Sequence, residues 1–326
     1  MIKFILKKIV KLAGLLIAVS IVSFTLISYS PVDPVRSYVG AEASKISPEQ
    51  RKNIEEYWGL NKSKPEQFML WSKSLLQGNL GNSLIYREPV SDIIANRFSA
   101  SIALMGISWV LSGVFGFLLG IFAGMNENSL LDRFIKSFSF ILASTPSFWF
   151  GLLLLMVFAA WLGWFPVGLA SPAGSIAGEV PFFDTIRHLV LPVLTLSIGG
   201  VASIALHTRA KLIEVLNSEF IRFARAKGES GTKLLWRHGL RNISLPAISL
   251  HFASFGELFG GAVLTEQVFS YPGLGQAVVK AGLGGDIPLL LGITLFSVVF
   301  IFIGNFIADL LYVVIDPRMK TKESHV

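Results

Sequence analysis

Residues 218–246 read SEFIRFARAKGESGTKLLWRHGLRNISLP. The stretch is basic and helix-prone, with a glycine near its middle. Apolar runs long enough to cross a bilayer lie on both sides of it. A chain that only anchors something in a membrane does not need so much charged structure between two spans. The stretch therefore reads as a docking element for a cytoplasmic partner, and the flanking spans as what that partner moves. Charge gives its side of the membrane. Residues 209–241 hold eight basic residues (Arg209, Lys211, Arg222, Arg225, Lys227, Lys233, Arg237, Arg241) against three acids (Glu214, Glu219, Glu229). Such an excess is retained in the cytoplasm.

Working outward, the whole chain agrees with a membrane setting. Its 326 residues are 52% hydrophobic and 15% charged, with mean hydropathy +0.63. Soluble domains carry about 25% charge. Windows at roughly 9–30, 100–124, 137–163, 188–208, 246–266 and 288–314 are each long enough to span, and lipid requires them to be helical. The expected fold is an all-α integral membrane protein with six transmembrane helices. It carries an extracytoplasmic helical insertion after the first helix and a cytoplasmic docking helix between the fourth and fifth. The expected division is 1–30 (N-terminal tail and first span), 31–98 (insertion), 99–314 (membrane core, with the docking segment at 218–246) and 315–326 (tail). Lys3, Lys7, Lys8 and Lys11 at one end, and Arg318, Lys320 and Lys322 at the other, put both termini in the cytoplasm. The first apolar run is long enough to be a retained span rather than a cleaved signal.

Composition also excludes. There is no cysteine, hence no disulfide or thiolate site. The net charge of +7 fits cations retained on the inner face better than nucleic-acid binding. His188, His207, His238, His251 and His325 are scattered and lack H-E-x-x-H spacing. Residues 228–233, GESGTK, fail the phosphate-loop pattern, since lysine follows threonine and no strand precedes. No cofactor is expected on this chain.

The insertion carries nine basic and eight acidic residues. Ser47-Pro48-Glu49-Gln50 predicts a capped helix running to about Trp58 and stopped by Gly59. Residues 65–76 predict a second helix, with Phe68, Leu70, Trp71, Leu75 and Leu76 on or near one face. Pro146, inside the third window, predicts a kink. Pro166, Gly168, Pro172, Gly174, Gly178 and Pro181 predict an irregular outer loop. Pro272-Gly273 predicts a type II turn at the membrane edge.

Ionisable groups inside a span carry a functional default. Glu257, near the middle of the fifth span, reads either as lining a polar pathway or as a carboxylate bonded to a neighbouring helix. His251 lies six residues earlier, about 240° away on an ideal helix. Asp309, with Asn305 one turn earlier, reads as structural. In the docking stretch, a helix over about 214–227 ends near Gly228, and a second runs over about 232–242. Ala224 and Ala226 are small enough to let the wedge enter a partner's groove.

Residues 223–228 (FARAKG), then 237–242 (RHGLRN) and Leu245-Pro246, resemble the coupling segment of ABC importer permeases. The likeness is nearest to the first, B-type subunit of the oligopeptide/dipeptide/nickel family. Leu80-Gly81-Asn82-Ser83 with Pro89-Val90, residues 146–149 (PSFW), residues 269–276 and Asp316-Pro317-Arg318 extend it along almost the whole chain. The resemblance implies a second, similar permease, two cytoplasmic ATPases that bind ATP and magnesium, and an extracytoplasmic solute-binding protein. It implies that Ala224, Arg225, Ala226, Lys227, Gly228 and Glu229 meet an ATPase, and that Glu257 and His251 lie near the pathway. The solute implied is a peptide, or nickel or a metal chelate. The start of the pattern departs from the general importer form, with Arg222-Phe223-Ala224 in place of an acid and two alanines, and the gap from Gly228 to Pro246 is longer. An ion-coupled carrier or exporter, and an intramembrane hydrolase, are the competing readings. The first needs broken-helix repeats or a line of acids; the second needs a nucleophile with its base.

Overall fold

The computed structural model describes residues 2–40, 46–171 and 181–315. Pro172, Gly174, Gly178, His325, the Asp316-Pro317-Arg318 triplet and the terminal cations Lys320 and Lys322 lie outside them. Helices account for nearly all regular structure. They are α1 (Ile2–Ser28), α2 (Pro34–Val39), α3 (Pro48–Tyr57), α4 (Lys64–Leu76), α5 (Val90–Met125), α6 (Leu130–Ser144), α7 (Ser147–Leu154), α8 (Phe182–Leu216), α9 (Glu219–Ala226), α10 (Gly231–Leu234), α11 (Leu240–Ala253), α12 (Phe255–Val268), α13 (Leu274–Gly284) and α14 (Ile287–Ile315). A π-helical segment, Leu155–Trp161, continues α7, and another, Leu235–Gly239, joins α10 to α11. Among the described residues four helices are long and apolar enough to cross a membrane, or up to six if each of two bent pairs is one span.

The chain forms two compact units. One comprises 1–101 and 272–302, the other 102–271 and 303–326, so α5 and α14 contribute to both.

In the first unit the insertion folds as its caps dictate. Ser47 and Gln50 form a reciprocal capping box on α3, and Ser63 with Glu66 forms one on α4. Gly59, at φ +66°, follows the end of α3. Arg51 bonds Asp33 at 2.9 Å and ties α3 to the cap of α2. Phe68 and Trp71 of α4 pack on Phe24, Ile27, Ile287 and Leu291. Leu70 and Leu76, expected near that face, point outward instead.

The Leu80-Gly81-Asn82-Ser83 and Pro89-Val90 motif closes a tight turn, bridged between Asn82 and Pro89. A fully buried carboxylate pins it. Asp286 accepts from Ser83 Oγ at 2.6 Å, from the Ile85 amide at 3.0 Å and from the Leu289 amide at 3.1 Å. Burial pushes this carboxyl up, and the hydrogen bonds from Ser83, Ile85 and Leu289 oppose that shift. Beneath the turn, Val90, Ile93 and Ile94 interlock with Leu274, Ala277 and Ala281 of α13 and with Leu289 and Ile293 of α14. The expected type II turn is absent. Gly273 has φ −97°, on the extended side, where a type II turn needs a positive value, and α13 starts directly after it.

In the second unit α5 and α8 approach closely along a ladder of small residues. A Cβ on Gly116 would lie 2.8 Å from Ile204 Cβ, and one on Gly120 would lie 2.5 Å from Thr208 Cβ. The expected kink at Pro146 is sharper than a kink. Thr145, the residue before proline, is extended (φ −94°, ψ 127°), so α6 stops and α7 leaves at 106°. The helix expected over 214–227 is also interrupted. α8 ends at Leu216, and Asn217 and Ser218 separate it from α9. The second short helix expected over 232–242 is no separate element. It starts at Gly231 and runs through the π-helical segment into α11.

Candidate functional site

The candidate site is built where α8 hands over to α9. The last turns of α8 bury Leu212 and Val215. α9 is short and strongly two-faced, with Glu219 in its first turn and Arg225 in its last, the polarity that suits a helix dipole. Ile221 and Ala224, three residues apart, share its inner face. They pack with Leu212, Val215, Leu234, Leu235 and Ile243. α9 then ends in a Schellman arrangement. Gly228, at φ +86°, donates its amide to Arg225 O at 2.9 Å, and the Glu229 amide donates to Ala224 O at 3.1 Å. The glycine thus turns the chain where the sequence placed the turn.

The outer face of α9 holds Phe220, Arg222, Phe223, Arg225 and Ala226, followed by exposed Lys227 and Gly228. The Lys227 ammonium sits 4.4 Å from the centroid of Phe223. Exposed Trp236 and Arg241 follow on the next element. Among the described residues Arg222, Arg225, Lys227 and Arg241 have no acidic partner. An exposed aromatic pair ringed by unpaired cations suits an apolar pocket with an acidic rim. Two expectations change. Ala224, read as an outward groove-entering residue, is turned inward. Glu229 is largely shielded, with its carboxylate on Arg237 at 2.7 Å and His238 at 2.9 Å. The bond to His238 holds its carboxyl below the usual glutamate range, with Arg237, His238 and Lys233 adding charge and burial opposing. Sequence reasoning missed Phe220, Phe223 and Trp236 as the outward groups. The signal was the Ile221/Ala224 spacing, which leaves Phe223 on the opposite side; Phe220, one turn before Ala224, is exposed at the start of the helix.

The pathway candidates lie further along. His251 is in the last turn of α11 and Glu257 in the first turn of α12, with Ser254 between the helices and a bend of 50° across the break. The ideal-helix angle between them therefore does not apply. The His251 ring stacks on Trp109, centroids 4.2 Å apart, and its Nδ1 is buried with no hydrogen-bond partner among the described residues. Its carbonyl accepts from Ser254 Oγ at 3.0 Å and from Trp109 Nε1 at 3.3 Å, bonds that support the break. A groove of about 430 Å³ beside the ring is lined by Trp109, Gly113, Phe117, Ile204, Ala247 and others. Glu257 is exposed and has no hydrogen-bond or ion-pair partner among the described residues. Asp309 does engage a partner.

Comparisons with known proteins bear on this arrangement. Residues 116–321 match the family described as the inner membrane component of binding-protein-dependent transport systems, and residues 1–105 match its N-terminal counterpart. The chain is 35% identical over 318 residues to the oligopeptide transport system permease protein AppB of Bacillus subtilis, covering 97% of this chain and 99% of that one. It is 33% identical to the di/tripeptide transport system permease protein DppB of Pseudomonas aeruginosa, over 98% of this chain and 99% of that one. It is 35% identical to the glutathione transport system permease protein GsiC of Escherichia coli, over 99% and 100%. A solved structure of the MetNI methionine ABC transporter, facing inward, shares the fold with a TM-score of 0.56 at 15% identity. That match covers 69% of this chain and 96% of the other.

The chain therefore belongs to the ABC importer permeases, the inner membrane components of binding-protein-dependent transport systems. It is a multi-pass membrane subunit, and its named relatives are permease proteins.

Proposed function

We propose that this chain is one of two permease subunits of an ATP-driven peptide importer. It passes solute from an extracytoplasmic binding protein to the cytoplasm. Two cytoplasmic ATPases carry the ATP and magnesium. In this reading each bent helix pair is one span, which makes six, and both termini are cytoplasmic. Residues 31–98 form the outer insertion and 218–246 the coupling segment. The named relatives favour a peptide over nickel or a metal chelate as the solute.

The observation that carries the coupling role is the two-faced α9. Its inner side is locked into its own subunit through Ile221 and Ala224, while Phe220 and Phe223 are held out among unpaired cations. A helix so mounted transmits a push from a partner into α8 and α11 instead of sliding over them. The partner's groove would take the two rings. Gly228 turns the chain, and Arg225, Ala226 and Lys227 border the contact.

The test is Phe223→Asp in the complete transporter reconstituted in liposomes. A charge in an apolar groove should cost at least about 2 kcal/mol of docking, roughly thirtyfold in affinity. The expected result is loss of ATPase subunits from the purified complex and loss of uptake, with membrane insertion intact. Retained assembly and normal uptake would remove α9 from the coupling role.

Glu257 is assigned to the pathway, with His251 behind it at the bend. A carboxylate without an internal partner, in the first turn after a broken helix, can receive the cationic amine of a peptide.

A further inference from the structure

We propose that Glu229 is an internal positioning residue of the coupling element, not a partner-contacting one. Its carboxylate clamps the glycine-flanked loop after α9 to the π-helical segment that leads into α11. The inference rests on the coupling reading above.

Residues 227–230 form the only covalent path from α9 to the helix behind it. Gly228 and Gly231 flank Glu229 at φ +86° and φ +56°, and a Cβ at either would meet nothing within 4 Å. The space beside both glycines is open, and glycine has the widest conformational range of any residue. Left to itself, such a tether would absorb a displacement. The bond from the Glu229 amide to Ala224 ties the loop to α9 alone. The side chain makes the tie to the other side. Oε1 accepts from Arg237 Nη1 at 2.7 Å, and Oε2 pairs with His238 Nε2 at 2.9 Å.

Both partners lie in the π-helical segment Leu235–Gly239. Gly239, its last residue, and Ile243 beyond it are buried, and α11 continues to the bend at Ser254. The apolar contacts of Ile221 and Ala224 hold α9 close to this helix. Such contacts are non-directional and leave its angle free. Two charge-assisted bonds from one rigid carboxylate fix direction as well as distance. A π-turn, with its extra residue, is the part of a helix most able to change register, and such turns concentrate at functional sites. The clamp therefore grips a place where movement of α9 can be converted into rotation of α11.

The experiment uses the assembled transporter in liposomes, with solute uptake and ATP hydrolysis measured in the same vesicles. Glu229→Ala should lower solute moved per ATP by about tenfold, the order of a typical inter-site coupling, and Glu229→Asp should restore part of the loss. Phe223→Asp is run alongside and read by assembly and uptake. If it leaves both intact, the coupling reading fails. If it abolishes them while Glu229→Ala assembles and leaves solute moved per ATP unchanged, the clamp fails. Should Glu229→Ala not assemble, hydrogen exchange over 227–239 decides with Glu229→Gln. Faster exchange of the loop and the π-helical segment together supports the clamp, and unchanged exchange overturns it.

Discussion

Arg209 grips Asp132 with both arms of its guanidinium. Nη2 donates to Oδ2 at 2.7 Å and Nε donates to Oδ1. The carboxylate is 1% exposed and also accepts the Asn128 amide at 2.9 Å. The pair fixes the first turn of α6 to the part of α8 that leads into α9.

Breaking this pair from one side should cost more than removing it. Asp132→Ala leaves a largely shielded guanidinium with only the more distant Glu127 as counter-charge, and the expected loss is up to about 3 kcal/mol. Asp132→Leu with Arg209→Met, of similar volume, should recover most of it. Thermal unfolding of the detergent-solubilised protein checks both. Equal losses in the single and double variants would mean the pair is not a unit.

The α5–α8 ladder predicts a position-specific response to one methyl group. Gly120→Ala should cost about 1–3 kcal/mol, because its Cβ would meet Thr208 Cβ and the Ala205 carbonyl. At Gly199 nothing lies within 4 Å of a Cβ, so Gly199→Ala should be neutral or gain up to about 1 kcal/mol of helix propensity. The same unfolding assay separates the two, and an equal effect at both sites would count against close packing.

Glu257→Gln should leave folding unchanged, since no partner among the described residues is lost. In reconstituted transporter, peptide uptake should fall while assembly is retained. A drop in stability without a drop in uptake per assembled complex would make the residue structural.

The Glu229 clamp has an acid limit. Its folded carboxyl titrates below the ordinary value of 4.5, so the stabilisation it adds is present in full above that value and is lost as pH falls through the folded one. Protection factors of amides 228–239 should hold from neutral pH down to the glutamate range and then decline. In Glu229→Gln the profile should be flat, and an identical decline there would assign the transition to another group.

Much of this was legible in the chain. The Ser47 cap and the glycine turn at Gly228 are local chemistry and appear where the residues place them; of the six apolar windows, four fall on single long helices and two on bent pairs. The inward side of a membrane helix is harder to read. Both faces of such a helix are apolar, one for lipid and one for protein, so periodicity does not separate them. α9 lies outside the apolar runs and is two-faced, yet Ala224 still misleads, because a small residue suits a buried contact and an exposed groove equally.

The sequence by itself determined that the chain crosses a membrane, that its basic segment lies between two apolar runs, and where that segment turns. Those follow from transfer free energy, charge and backbone sterics, which act residue by residue. Only the tertiary structure decided which face of α9 is free, that α11 and α12 are separate helices, and that Glu229 turns back onto Arg237 and His238. It also decided that Asp132 meets Arg209 from 77 positions away. These depend on which side chains are brought together by packing, and no local rule specifies that.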